Sequence, residues 1–82
     1  MTENDLRARA HDVDATVWVG KAGIDPVVDE LSDQLAERDL VKVKFLRAAR
    51  GGTTTDELAA ELADRVDAEV VETRGHTAVF HR

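Results

Sequence analysis

The sequence predicts a two-layer α/β domain with a mixed four-stranded sheet and the element order α-β-α-β-α-β-β. Three observations lead there. Two stretches carry apolar residues at helical spacing with acids on the opposite face: Ile24, Val27, Val28, Leu31 and Leu35, then Leu58, Ala59, Leu62, Ala63 and Val66. Four short runs, 15–19, 40–47, 68–73 and 77–82, are rich in β-branched, aromatic and apolar residues. Strand and helix alternate until a final pair of strands separated only by Arg74-Gly75-His76. Each strand-helix-strand passage implies a right-handed crossover and parallel pairing, and the closing hairpin adds an antiparallel strand. At 82 residues the chain forms one domain, 1–82, with no internal repeat or low-complexity linker.

Taken in order, residues 3–11 form a short helix in which Leu6, Ala8 and Ala10 supply a sparse apolar face. ATVWV (15–19) is a strand. Asp25 followed by Pro26 has the form of an N-cap and first helical position, so a helix runs over 26–38. LVKVKFLR (40–47) alternates, with Val41, Val43 and Phe45 on one face and Lys42 and Lys44 on the other. Gly51-Gly52 opens a loop, and Thr54 with Glu57 has capping-box spacing ahead of the second main helix. AEVVET (68–73) and TAVFHR (77–82) are the last two strands.

The net charge of −6 argues against a nucleic-acid partner, but the average conceals a segregation. Residues 25–39 hold six acids against one base, and 56–69 again six against one. Segments 15–24, 40–55 and 73–82 hold no acid, yet contain Lys21, Lys42, Lys44, Arg47, Arg50, Arg74 and Arg82. Acids therefore coat the two main helices, while bases occupy the strands and joining loops. Glu72 is an exception, on the third strand. Three lysines against eight arginines, with Asp-rich acid content, point to a source working in concentrated salt.

Most catalytic chemistry lacks its residues. There is no cysteine, hence neither a disulfide framework nor a thiolate metal site, and the single serine, Ser32, lies on an acid-rich helix face. His11, His76 and His81 come from separate elements without metal-ligand spacing, so no metal or other cofactor is expected. No apolar run approaches a membrane span, and no signal peptide is evident, which leads to the expectation of a soluble cytoplasmic protein with no membrane partner.

Gly20-Lys21-Ala22-Gly23 lacks P-loop spacing but has two readings. It is either a plain strand-to-helix turn or bare backbone left for a phosphate, in the manner of GxxG loops that clamp RNA. Asp25 stands close enough to repel a phosphate unless its carboxylate is engaged as a cap. Lys42 and Lys44, and likewise Arg74, His76 and Arg82, are either a solvated face or phosphate contacts. Trp18, the only tryptophan, alternates with Val17 and Val19 and shares the face of Thr16. It is either a core residue or a platform for a stacked base.

A strand ending in VGKAGI, an amphipathic helix, DLVKVKF, a second helix and RGHTAVFHR, in that order, resemble the CRM domain of chloroplast RNA splicing and ribosome maturation, with its small YhbY-like members. The resemblance covers residues 3–82. It implies a fold similar to the C-terminal domain of the bacterial translation initiation factor. It also implies RNA binding, with large-subunit ribosomal RNA or a pre-ribosome as partner. The family's GxxG loop falls on Gly20, Lys21, Ala22 and Gly23, its basic strand on Lys42 and Lys44, and its terminal hairpin on Gly75, His76 and Thr77, followed by Arg82. His76 replaces the usual lysine, and the loop and helices carry fewer cations than typical bacterial members.

The expected function is a non-enzymatic, monomeric RNA-binding module using Gly20–Gly23 with Lys42, Lys44, Arg47, Arg50, Arg74, Gly75, His76 and Arg82. The alternative is a protein-interaction module whose acidic helices bind a basic ribosomal protein, with RNA contact incidental.

Overall fold

The computed structural model describes residues 8–82. Residues 8–10 are helical, as expected, and His11 already lies in the turn that follows; residues 3–7 of the predicted N-terminal helix lie outside the described residues. The elements that follow are β1 (Ala15–Val19), a 3₁₀ turn (Asp25–Val27), α1 (Val28–Glu37), β2 (Val41–Phe45), a second 3₁₀ turn (Arg47–Arg50), α2 (Thr55–Val66), β3 (Glu69–Arg74) and β4 (Thr77–His81). The result is an α+β fold with a mixed four-stranded sheet.

The first helix departs from expectation at its start. Asp25 makes no capping bond; it sits inside the 3₁₀ turn, and the helix proper begins at Val28. The start of α2 follows expectation more closely, since Thr54 Oγ1 accepts from the Glu57 N–H at 3.1 Å. The Glu57 carboxylate does not close the reciprocal half of the box but accepts from Thr53 Oγ1 at 2.7 Å. Asp67 ends α2 in the left-handed region at φ 56°, a place more often taken by glycine.

The strand order is β1-β2-β4-β3. β1 and β2 pair in parallel across the α1 crossover, as expected. β2 and β3 do not pair, contrary to the expectation drawn from alternation alone, because β4 lies between them and is antiparallel to both. The physical reason lies in the two strands of the hairpin. Ala78, Val79 and Phe80 are buried, so β4 has apolar side chains to hide on both faces. Glu69, Thr73 and Arg74 are exposed, which suits β3 to an edge.

Both helices cover one face of the sheet. Val17, Val19, Val41, Val43, Phe45, Ala78 and Phe80 meet Leu31 and Leu35 of α1 and Leu58, Ala59, Leu62, Ala63 and Val66 of α2 in one cluster. Each large side chain fully buried there contributes about 1.5–3 kcal/mol. The second face is closed only over part of its area, where Ala10 and Val13 pack against Leu40, Val71 and Val79. The remainder of that face is open.

Candidate nucleic-acid interface

The turn Gly20–Gly23 is closed by a hydrogen bond from the Gly23 N–H to the Gly20 carbonyl at 3.0 Å, and Lys21 and Ala22 at its tip are exposed. The two glycines differ. Gly23 has φ +81°, a conformation that L side chains rarely adopt, so glycine is required by the backbone. Gly20 has ordinary φ, and a Cβ there would meet Leu46 Cδ1 at 3.9 Å, an unstrained contact. Neither conformation nor packing demands a glycine at position 20.

Parallel pairing of β1 and β2, with β4 antiparallel to them, brings three connections to one end of the sheet. The Leu46 N–H donates to the Val19 carbonyl at 2.8 Å, fixing the Gly20 loop beside the 46–50 segment. The Phe45 N–H donates to the His76 carbonyl at 2.7 Å, fixing the β3–β4 turn on the other side. Gly75 has φ +58° in that two-residue turn, and Thr77 Oγ1 donates to the Arg74 carbonyl at 2.8 Å. Carboxyl ends of parallel strands are where open α/β sheets commonly take ligands.

The strand register then aligns side chains across the open face. Trp18 pairs with Lys44, Lys44 with Thr77, and Thr77 with Arg74, giving one transverse row over all four strands. At about 4.8 Å between neighbouring strands the row spans about 14 Å. Lys42 occupies the next row, opposite Val79, with Glu72 beyond. Trp18 is 53% exposed, which settles its sequence ambiguity against the core. Thr16 does not share its face in a simple alternation: the ladder is irregular between Ala15 and Val17, and the Thr16 hydroxyl donates to Gln34 Oε1 of α1.

The cations fall into two groups. Among the described residues, Lys21, Lys42, Lys44 and Arg47 have no carboxylate within ion-pair distance. Arg50 and Arg74 are at the same end but engaged. Arg50 Nε donates to the Phe45 carbonyl at 3.1 Å, which braces the loop after β2. Arg74 Nη1 donates to His11 Nδ1 at 2.9 Å, and His11 Nε2 in turn lies 3.3 Å from Glu72 Oε1. Glu72 is thus partly answered by a histidine from the N-terminal segment.

Arg82, expected from sequence among the RNA-binding residues, is not brought to this end. Its guanidinium donates to the Val66 carbonyl at 2.9 Å and to Ser32 Oγ at 2.7 Å, tying the chain end to the C-terminus of α2 and to α1. His76 and Gly75 line an open cleft of about 380 Å³ with Arg50, Thr53, Thr54, Thr55 and Asp56. Asp56 brings a carboxylate to that cleft. Asp25, by contrast, is answered: its Oδ1 lies 2.7 Å from Arg65 Nη1.

One residue of this surface escaped the sequence reading. Leu46 is 39% exposed beside Gly20, and it continues the alternation Lys42, Lys44 of β2 by one step. Extending the period by two residues would have found it.

Comparison with known proteins fits this architecture. The family model described as the CRS1 / YhbY (CRM) domain matches residues 2–82. The chain belongs to the CRM-domain family. A curated protein of Methanocaldococcus jannaschii, named a probable RNA-binding protein, is 46% identical to this CRM domain over 77 residues. That alignment covers 94% of the chain but 58% of the relative, so the chain spans little more than half of that protein's length. Among solved structures, a hypothetical protein of Staphylococcus aureus, described as a candidate RNA-binding protein, superposes with a TM-score of 0.79 at 31% identity. It covers 98% of this chain and 82% of its own.

Proposed function

We propose that this CRM domain binds RNA and catalyses no reaction on it, using the Gly20–Gly23 turn and the open sheet face beside it. The observation that carries the reading is the row Trp18-Lys44-Thr77-Arg74, flanked by Lys21 and Arg47. Family membership supports it, as do the RNA-binding names of the relatives. The absence of a catalytic role is supported by Ser32, the one serine, whose hydroxyl accepts from Arg82 rather than facing a base.

In the finer form of the proposal the RNA is large-subunit ribosomal RNA or a pre-ribosome, met by a monomer in the cytoplasm. Gly20, Lys21, Ala22 and Gly23 admit a phosphate to bare backbone, and Lys42, Lys44, Arg47 and Arg74 extend the contact. Arg50 and Gly75-His76 shape the loops that frame it. A protein suited to concentrated salt has little use for long-range attraction, since the Debye length falls to about 3 Å at 1 M. Close contacts then matter most.

Titration with a single-stranded RNA across a salt series tests the reading. About four neutralised phosphates give a slope of log K against log salt near −3. Lys42→Glu combined with Lys44→Glu lowers affinity on the order of 100-fold at low salt, because two attractions become repulsions. A flat salt dependence, or wild-type affinity in the double variant, would sink the proposal.

A second reading has one observation of its own. Asp29, Glu30, Asp33 and Glu37 of α1, with Asp56, Glu57, Glu61 and Asp64 of α2, are all exposed. This face would suit a basic ribosomal protein. Under that reading, reversing Asp29, Asp33 and Glu37 abolishes ribosome association, and changing the glycine turn leaves it intact.

A further inference from the structure

Trp18 and Leu46 are the two large apolar side chains exposed among the described residues, and they stand on either side of Gly20, at the ends of adjacent strands. Trp18 pairs with Lys44 in register; Leu46 follows two residues later, just past the end of β2, with its N–H bonded to the Val19 carbonyl. Between them lies Gly20, where a Cβ would reach only to within 3.9 Å of Leu46 Cδ1. The three residues form an apolar shelf that runs from the sheet onto the glycine turn. Lys44 flanks the shelf, Lys21 follows Gly20, and Arg47 follows Leu46, none with a carboxylate partner among the described residues.

An exposed apolar patch with a charged rim marks an interaction site. Its occupant has to satisfy both parts. A second copy of the chain would set Lys21, Lys44 and Arg47 against their own kind across a twofold, where like charges repel. A paired RNA offers phosphates but keeps its base faces stacked inside the helix. An unpaired nucleotide offers a π-face for the indole and a phosphate for the rim. Resting on the RNA-binding reading above, we infer that the shelf formed by Trp18, Gly20 and Leu46 holds one unstacked base, making the domain selective for single-stranded over duplex RNA. Leu46 packs against the edge of that base, and the bare Gly20 backbone lets the sugar-phosphate chain pass toward Lys21.

Stacking buries flat surface and releases few counterions, so it holds where salt screens the lysines. This is the kind of grip an RNA-binding protein of net charge −6 requires. It also separates the shelf from the cations by experiment. Lysine changes alter the salt slope, whereas tryptophan changes shift affinity by one factor at every salt concentration.

Trp18 is the only tryptophan, so its emission reports on the shelf in the unaltered protein. The probes are an unpaired dodecamer of adenosine and uridine and a fully paired RNA duplex with the same number of phosphates. The dodecamer is expected to bind more tightly than the duplex and to quench Trp18. Trp18→Ala is expected to weaken dodecamer binding about 5- to 150-fold with an unchanged salt slope. Trp18→Phe is expected to stay within a few-fold of wild type, and thermal unfolding of both variants checks that the fold is retained. Dodecamer binding with unchanged emission and full affinity in Trp18→Ala would overturn the shelf while leaving the RNA reading standing. Equal or tighter duplex binding would do the same. No binding of either RNA at any salt would overturn both, and a dimer that Trp18→Ala converts to monomer would assign the patch to self-association instead.

Discussion

Cations do different work at the two ends of this sheet. At the end where α2 finishes, Arg82 donates to the Val66 carbonyl and to Ser32, and Arg9 lies 3.4 Å from Asp39. At the other end, Lys21, Lys44 and Arg47 stand exposed and meet no carboxylate among the described residues. Both Arg82 and Arg47 come from stretches of sequence without acids. What separates them is which groups the fold sets within a few ångströms. The carbonyl end of α2 is a ready acceptor for a guanidinium, both for its unpaired oxygens and for the negative end of its dipole. At the glycine turn and after β2 a backbone carbonyl engages Arg50, but no carboxylate lies within ion-pair distance of Lys21, Lys44 or Arg47 among the described residues, so their charge remains available. A surface free of acids is therefore a necessary sign of a binding site, and an unspent cation is the more discriminating one.

The comparison can be broken most directly by swapping charge at the open end. Lys42→Glu with Lys44→Glu is expected to cost RNA affinity on the order of 100-fold and to leave thermal stability nearly unchanged, since neither lysine is ion-paired within the described chain. The mirror experiment is Arg82→Ala. Chemical denaturation is expected to show a loss of about 1–3 kcal/mol, because the Val66 carbonyl and Ser32 lose a charged donor. Its RNA affinity and salt slope should match wild type. A large fall in affinity with intact stability would place Arg82 on the interface after all.

The glycine turn sharpens the contrast at smaller scale. Gly23→Ala is expected to destabilise by about 1–2 kcal/mol, the cost of holding an L residue at positive φ. Gly20→Ala is expected to change stability by less than about 0.5 kcal/mol, since its Cβ fits. If bare backbone at Gly20 serves the ligand, the same variant weakens RNA binding several-fold, measured by the Trp18 titration. Unchanged binding in Gly20→Ala would reduce that glycine to a spacer.

Most of the fold was legible before any coordinates, because its signals are local. Helical spacing in Leu58, Leu62 and Val66 and alternation in Val41, Val43 and Phe45 follow from backbone geometry alone, and each element from β1 onward appears within a few residues of its expected bounds. Less was legible where a residue had rival partners. Asp25-Pro26 has the composition of a helix start, but a carboxylate with Arg65 within reach forms an ion pair instead, and the chain tightens into a 3₁₀ turn before α1. The candidate site divided the same way. Gly20–Gly23, Lys44, Arg47, Arg50, Arg74, Gly75 and His76 gather at one end of the sheet and Lys42 lies one row further along β2, while Arg82 is tied to the two helices instead. His11 reaching Arg74 and Glu72 carried no sequence signal, since the contact joins residues 63 positions apart.

By itself, then, the amino-acid sequence determined the kinds and order of the elements, the turn at Gly23 and the separation of acids onto helices. Those depend on the period of side chains along the backbone and on conformations open to single residues. Only the tertiary structure decided that β4 enters the sheet between β2 and β3, that Trp18 faces solvent beside Leu46, and which cations are left unspent. Such outcomes depend on which distant segments come within a few ångströms once the core closes around Phe45, Phe80 and Leu62, and no pattern within one segment contains that distance.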